Sequence, residues 1–168
     1  MIVNILKTMI AYNYAEHREL WEIIAALDEE TFLRDCGYSL GAVQREIVHI
    51  IRADRLWLSR AMEQPDVALL PYETVDRGKI RQAWDQLEQD VKSFLDSLSE
   101  QGLQRVVTYV DKDGKTQQRH VLELLLHVCN HGTVHRAEIC AMLHMLGHTV
   151  AFDVSLRRYL EGRTDRLE

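Results

Sequence analysis

Residues 124–148 read LLLHVCNHGTVHRAEICAMLHMLGH. The stretch contains no proline, and its apolar residues recur at three- and four-residue steps, as in one face of an α-helix. A helix turns about 100° per residue, so His131 and His135 lie one turn apart and about 40° apart in direction. Leu124, Glu138 and Met142 fall within about 40° of the same centre line. Two of those three are apolar, so this histidine-bearing face is expected to turn inward, against other helices.

The other apolar stripes supply those partners. Ile5, Met9, Tyr12, Ala15, Leu20, Ile23 and Leu27 predict a helix over 3–27, closed by the polar run Asp28-Glu29-Glu30. Ala42, Val43, Ile47, Ile50, Trp57 and Leu58 predict a second over 39–62, with Ser39 as its N-cap. EQPDVALLPYET, residues 63–74, holds both prolines of the chain and reads as a long connection. Ile80, Trp84, Leu87, Val91, Phe94, Leu95 and Leu98 predict a third helix over 75–99, stopped by Gly102. Val106–Val110 and the Asp113-Gly114 turn predict a β-ribbon over 105–119. The fourth long helix is expected over 120–146, ending near Gly147. A short terminal helix follows over Val154–Glu161, capped by Asp153. Four long amphipathic segments predict an all-α fold, a four-helix bundle with a small β-hairpin before the last long helix.

The chain has 168 residues, 46% of them hydrophobic, which suits one globular domain over 1–168. A net charge of -6 disfavours an electrostatic grip on nucleic acid. Cys36, Cys129 and Cys140 form no disulfide framework and read as reduced thiols. No signal peptide and no run of about 20 apolar residues is visible, so no membrane association is expected and a cytoplasmic location is.

The histidine row carries the chemistry. Imidazoles at i and i+4 converge on one point and chelate a divalent metal well. Two hold it weakly, and His49, mid-helix in REIVHIIRADRLW, is the best third ligand. Three neutral imidazoles suit a divalent ion: Zn or Ni foremost, with Fe, Mn or Cu also admissible. The plainer readings are a packed His49 and an incidental histidine pair. His127 points about 80° from His135 and reads as packing or support, and Cys129 points about 140° away from the pair. His120 lies about three turns from His131, too far to share an ion. Glu138, one turn beyond His135, is the candidate catalytic residue, supporting an imidazole, ligating the ion at an open position or acting as general base, with the supporting role favoured over ligation. Pairing with Arg45 or Arg52 is its alternative role.

The segment 124–148, followed by Asp153, resembles the DinB/YfiT-like family of metal-dependent proteins, whose members read "Hv-nHxxxHRGqi" before a leucine-rich stretch. His49 in a helix leading to Trp57, and a β-ribbon before the last long helix, extend the resemblance over almost the whole chain. The resemblance implies an up-down-down-up four-helix bundle, frequently a homodimer, with a metal held by His49, His131 and His135. This chain departs at HRAEI, where Ala137 and Glu138 replace the usual Gly and Gln, placing a negative charge near the metal.

Some relatives act with low-molecular-weight thiols, so the resemblance favours a metal-dependent transferase that joins such a thiol to an electrophile. The alternatives are a metal-dependent hydrolase, or a metal-stabilised ligand-binding or stress-response module without turnover. No G-x-S-x-G motif and no glycine-rich phosphate loop offers another chemistry a foothold.

Overall fold

In the computed structural model, which describes residues 1–64 and 67–164, the first apolar stripe forms α1 (Ile2–Ala26). The acidic run beyond it starts a new helix as well as closing the old one. Asp28 caps the short α2 (Glu29–Leu33) by accepting from the Thr31 N–H at 2.7 Å, which satisfies a donor that no helical carbonyl reaches. The next helix, α3 (Val43–Ala61), begins beyond the expected cap. Ala42 occupies the N-cap position, and Ser39 sits in the preceding turn with φ 49. That turn is covered instead by Glu46, whose carboxylate accepts from the Leu40 N–H at 3.4 Å.

Residues 67–76 follow as irregular chain, and Pro65 and Asp66 of the expected connection lie outside the described residues. Asp76 caps α4 (Arg77–Ser97) through the Lys79 N–H. Gly102 does not stop this helix. The chain already turns extended at Leu98, and Gly102 lies within α5 (Glu100–Leu103), giving its N–H to the Ser99 hydroxyl at 3.0 Å. Strands β1 (Val106–Val110) and β2 (Thr116–His120) pair antiparallel, Val106 opposite His120 and Val110 opposite Thr116. The Asp111 carboxylate holds their turn by accepting from the Asp113 and Lys115 N–H groups, and Gly114 there adopts φ 77. The histidine-rich segment forms α6 (Val121–Met145), followed by Gly147 at φ 84. The last helix is α7 (Leu156–Thr164). Its first turn takes its cap from Ser155, whose hydroxyl accepts from the Arg158 N–H, while Asp153 acts one step back by accepting from Ser155.

The four long helices contact one another in the cyclic order α1, α6, α3, α4. Each turns its apolar stripe inward: Leu6, Ile10 and Ile24 from α1, Ile47, Ile50 and Leu58 from α3, Ile80, Leu87 and Val91 from α4, Leu124, Leu125 and Met142 from α6, all buried. Each such side chain stabilises the fold by about 1.5–3 kcal/mol on burial. The fold is therefore mostly helical with one small hairpin, and the hairpin packs on α3 and α6. The broadest contact, α3 against α6, is also where the histidines meet. Among the described residues no helix is long and apolar enough to cross a membrane.

Candidate metal centre

His49 comes from the middle of α3, and His131 and His135 from successive turns of α6. The tight α3–α6 packing brings the three rings together. Centroids lie 5.0 Å apart for His49 and His131, 4.6 Å for His49 and His135, and 4.1 Å for His131 and His135. One ring nitrogen from each falls within 4.8 Å of the others. Nε2 of His49 and Nε2 of His131 are 3.1 Å apart. Two nitrogens on one tetrahedral Zn, each about 2.0–2.1 Å from it, would stand about 3.3 Å apart.

The opposite nitrogens face other groups. His49 Nδ1 lies 3.0 Å from the Tyr72 hydroxyl, brought in by the loop before α4. His135 Nδ1 lies 2.5 Å from Glu46 Oε1 and 2.6 Å from Glu138 Oε2. One N–H cannot point at both; it serves Glu46, and Glu138 sits off its direction. His131 Nδ1 faces Asp54 Oδ1 at 3.9 Å, longer than a hydrogen bond, and both atoms are buried without another partner. Such partners fix the tautomer of a ligating imidazole and leave Nε2 free. The donor set and its backing thus fit a divalent metal ion, which His49, His131 and His135 would hold.

Electrostatics keep two of the rings neutral. Burial lowers the pKa of His131, and the neighbouring imidazoles of His135, His49 and His127 lower it further, to about 3. Burial and the His135 charge likewise lower that of His49. His135 goes the other way. Burial alone would depress it, but the Glu46 and Glu138 carboxylates raise it. Burial of Asp54 pushes its carboxyl up to about 8.

Glu138 therefore stands beside His135 rather than pairing with an arginine. Arg52 instead donates to the Leu70 carbonyl and lies 4.1 Å over the Tyr72 ring. His127 is exposed and lies tilted against Trp57 with centroids 4.4 Å apart, reaching His131 only ring to ring, at 5.6 Å. His120 stands at the N-cap of α6, its Nδ1 2.7 Å from the Gln104 carbonyl. Cys129 is buried, its thiol pushed up to about 12 by desolvation, which makes it a packed apolar group. Sequence reasoning missed Glu46, Asp54 and Tyr72. Glu46 precedes His49 by a helical i, i+3 step, and Asp54 interrupts an apolar face, so both carried a signal. Tyr72 reaches the site only through the fold of its loop.

A largely helical chain with three convergent imidazoles, each backed by a polar group, defines a class of metal-binding helical proteins. The chain matches the DinB family over residues 1–166 and belongs to it. A comparison with curated proteins finds no match.

Proposed function

We propose that this protein is a divalent-metal-dependent transferase that joins a low-molecular-weight thiol to an electrophilic small molecule. The observation that carries this reading is the three-imidazole group, partly open to solvent, with side-chain exposures of 11% at His131 and 16% at His135. A divalent ion held there supplies Lewis acidity, which lowers the pKa of a bound thiol and favours the nucleophilic thiolate. His49, His131 and His135 orient the site; Tyr72 and Glu46 hold the His49 and His135 rings from behind, and Asp54 faces His131. Among the described residues no cysteine joins the candidate metal group, so in this reading the reacting sulfur comes from outside.

The placement of the carboxylates favours thiol transfer over hydrolysis. Glu46 and Glu138 both stand on the Nδ1 side of His135. There Glu46 holds the ring through its Nδ1 and Glu138 adds a negative charge beside it, both on the side away from Nε2. Glu138 is thus a positioning residue in this reading.

The test uses cobalt-substituted protein and a panel of cellular thiols. A sulfur-to-cobalt charge-transfer band on thiol addition, together with metal-dependent conjugation to an electrophile, is expected. If no thiol perturbs the spectrum and none is conjugated, the transferase reading fails. A cobalt ion saturated by protein ligands would point to a metal-stabilised module.

A further inference from the structure

Beside the histidines, a row of rings continues along α3 and α6 to β1. His131 is followed by His127 at 5.6 Å, His127 by Trp57 at 4.4 Å, and Trp57 by Tyr109 of β1 at 5.9 Å. At the far end stands Arg60, in the last turn of α3. Its guanidinium carbon lies 4.5 Å from the Trp57 ring centre and 4.2 Å from that of Tyr109. The side chain is half-buried. Among the described residues no hydrogen bond or ion pair engages the guanidinium, and the acid that acts on it through space is Asp111. That carboxylate is already occupied by the hairpin turn, accepting from the Asp113 and Lys115 N–H groups and the Gln117 amide. The neighbouring arginines differ. Arg52 is tied to the Leu70 carbonyl, and Arg105 to Glu63 and the Ala61 carbonyl.

We propose that Arg60, clamped between Trp57 and Tyr109, recognises a carboxylate at the far end of the ligand whose reacting end lies at the three-histidine centre. Contact with both rings restrains the guanidinium in advance, so less side-chain freedom is lost when its planar fork takes up a carboxylate. Partial burial strengthens the pairing relative to water. A phosphate dianion fits poorly. The site offers a single cation, and it lies at the C-terminal end of α3, whose dipole opposes additional negative charge. The Trp57 and His127 rings, tilted 56° to each other, lie between the two ends and offer aromatic surface to an extended molecule. The ligand class is thus an elongated small molecule with a metal-seeking head and a carboxylate tail. That the head is a thiol rests on the proposed function; the carboxylate tail does not.

Two probe pairs separate these statements. The first is glutathione and its dimethyl ester. The second is suberic acid monohydroxamate, which grips a metal without sulfur, and its methyl ester. Each is titrated by calorimetry into metal-loaded wild-type protein and into Arg60→Met, which keeps an apolar stem over the rings and is checked for fold by circular dichroism. In the wild type the acid of each pair should bind at least tenfold more tightly than its ester. In Arg60→Met that preference should shrink to within about twofold, with ester affinity unchanged. An Arg60-dependent preference in the hydroxamate pair, with no binding of either glutathione form, upholds this site and removes the thiol reading. Thiol binding without a carboxylate preference in either pair overturns this site and leaves the thiol reading standing. A preference that survives in Arg60→Met also overturns it.

Discussion

At His131, burial and the neighbouring imidazoles act together to keep the ring neutral, the form that ligates a metal. Removing that ring leaves two ligands on different helices. His131→Ala is expected to lose most bound metal after a chelator wash, and unchanged metal per chain by elemental analysis would remove it from the ligand set. Glu138→Gln should keep the metal, because the Glu46 carboxylate still holds His135 Nδ1, while activity or metal preference shifts. Metal loss in that variant would make Glu138 a ligand. His17 predicts a pH effect. It is fully buried in α1, and burial, followed by the Arg136 charge, holds its pKa well below the usual histidine value. An unfolded histidine takes up a proton near pH 6.5 and the folded His17 does not. Stability is therefore complete above about pH 6.5 and falls as pH drops below it, by up to about 1.4 kcal/mol per pH unit. In metal-free protein, His17→Phe should reduce the loss between pH 7.5 and 5.5 in urea unfolding. Equal losses would mean that His17 protonates within the fold.

Helix α6 carries its histidines at a fixed height because it lies close against α1. At Gly132 an added Cβ would stand 2.6 Å from Asn13 Nδ2. That amide donates to the Cys129 carbonyl at 3.1 Å, and its oxygen accepts from the buried Arg136 guanidinium at 3.1 Å. Arg136 in turn lies 4.5 Å over the Tyr12 ring. Gly132→Ala must therefore push the helices apart or break this polar contact. A loss of about 1–3 kcal/mol is expected, as for other overpacked cores, seen as a lower melting temperature. A stability equal to wild type, as the helix propensity of Ala alone would favour, would show that Asn13 yields without strain.

Across the whole molecule, an ion held by His49 on α3 and by the pair on α6 would staple the two helices that share the broadest contact. Ligand that binds only the folded chain at a hundredfold excess over its Kd adds about 2.7 kcal/mol. For a chain of this size that raises Tm by about 5–10 °C. Zinc should produce this rise in the wild type and not in His49→Ala, as read by scanning calorimetry with and without a chelator. A rise retained in His49→Ala would place the stabilising ion elsewhere. Leu126, Val134 and Met145 are exposed along α6, and with the family resemblance they lead us to expect a homodimer. Light scattering should return twice the 19.6 kDa chain mass, and a monomer would refute it.

The periodicity of apolar residues, a property of neighbours in the chain, determined the four long helices and the facing of His131 and His135, and a β-favouring run with the Asp113-Gly114 turn determined the hairpin. Helix geometry sets those relations before any tertiary contact forms. Helix starts were less legible. Ser39 reads as a cap from residue type alone, but the left-handed turn it occupies and the reach of Glu46 decided otherwise. Gly102 likewise reads as a stop, yet Leu98 and Ser99 ended the helix before it. What only the tertiary structure decided is which groups meet across helices. Glu46 behind His135, Asp54 facing His131, Tyr72 on His49 and Arg60 between Trp57 and Tyr109 depend on the packing of α3 against α6, the hairpin and the loop, because no sequence spacing encodes the distance between side chains on separate elements.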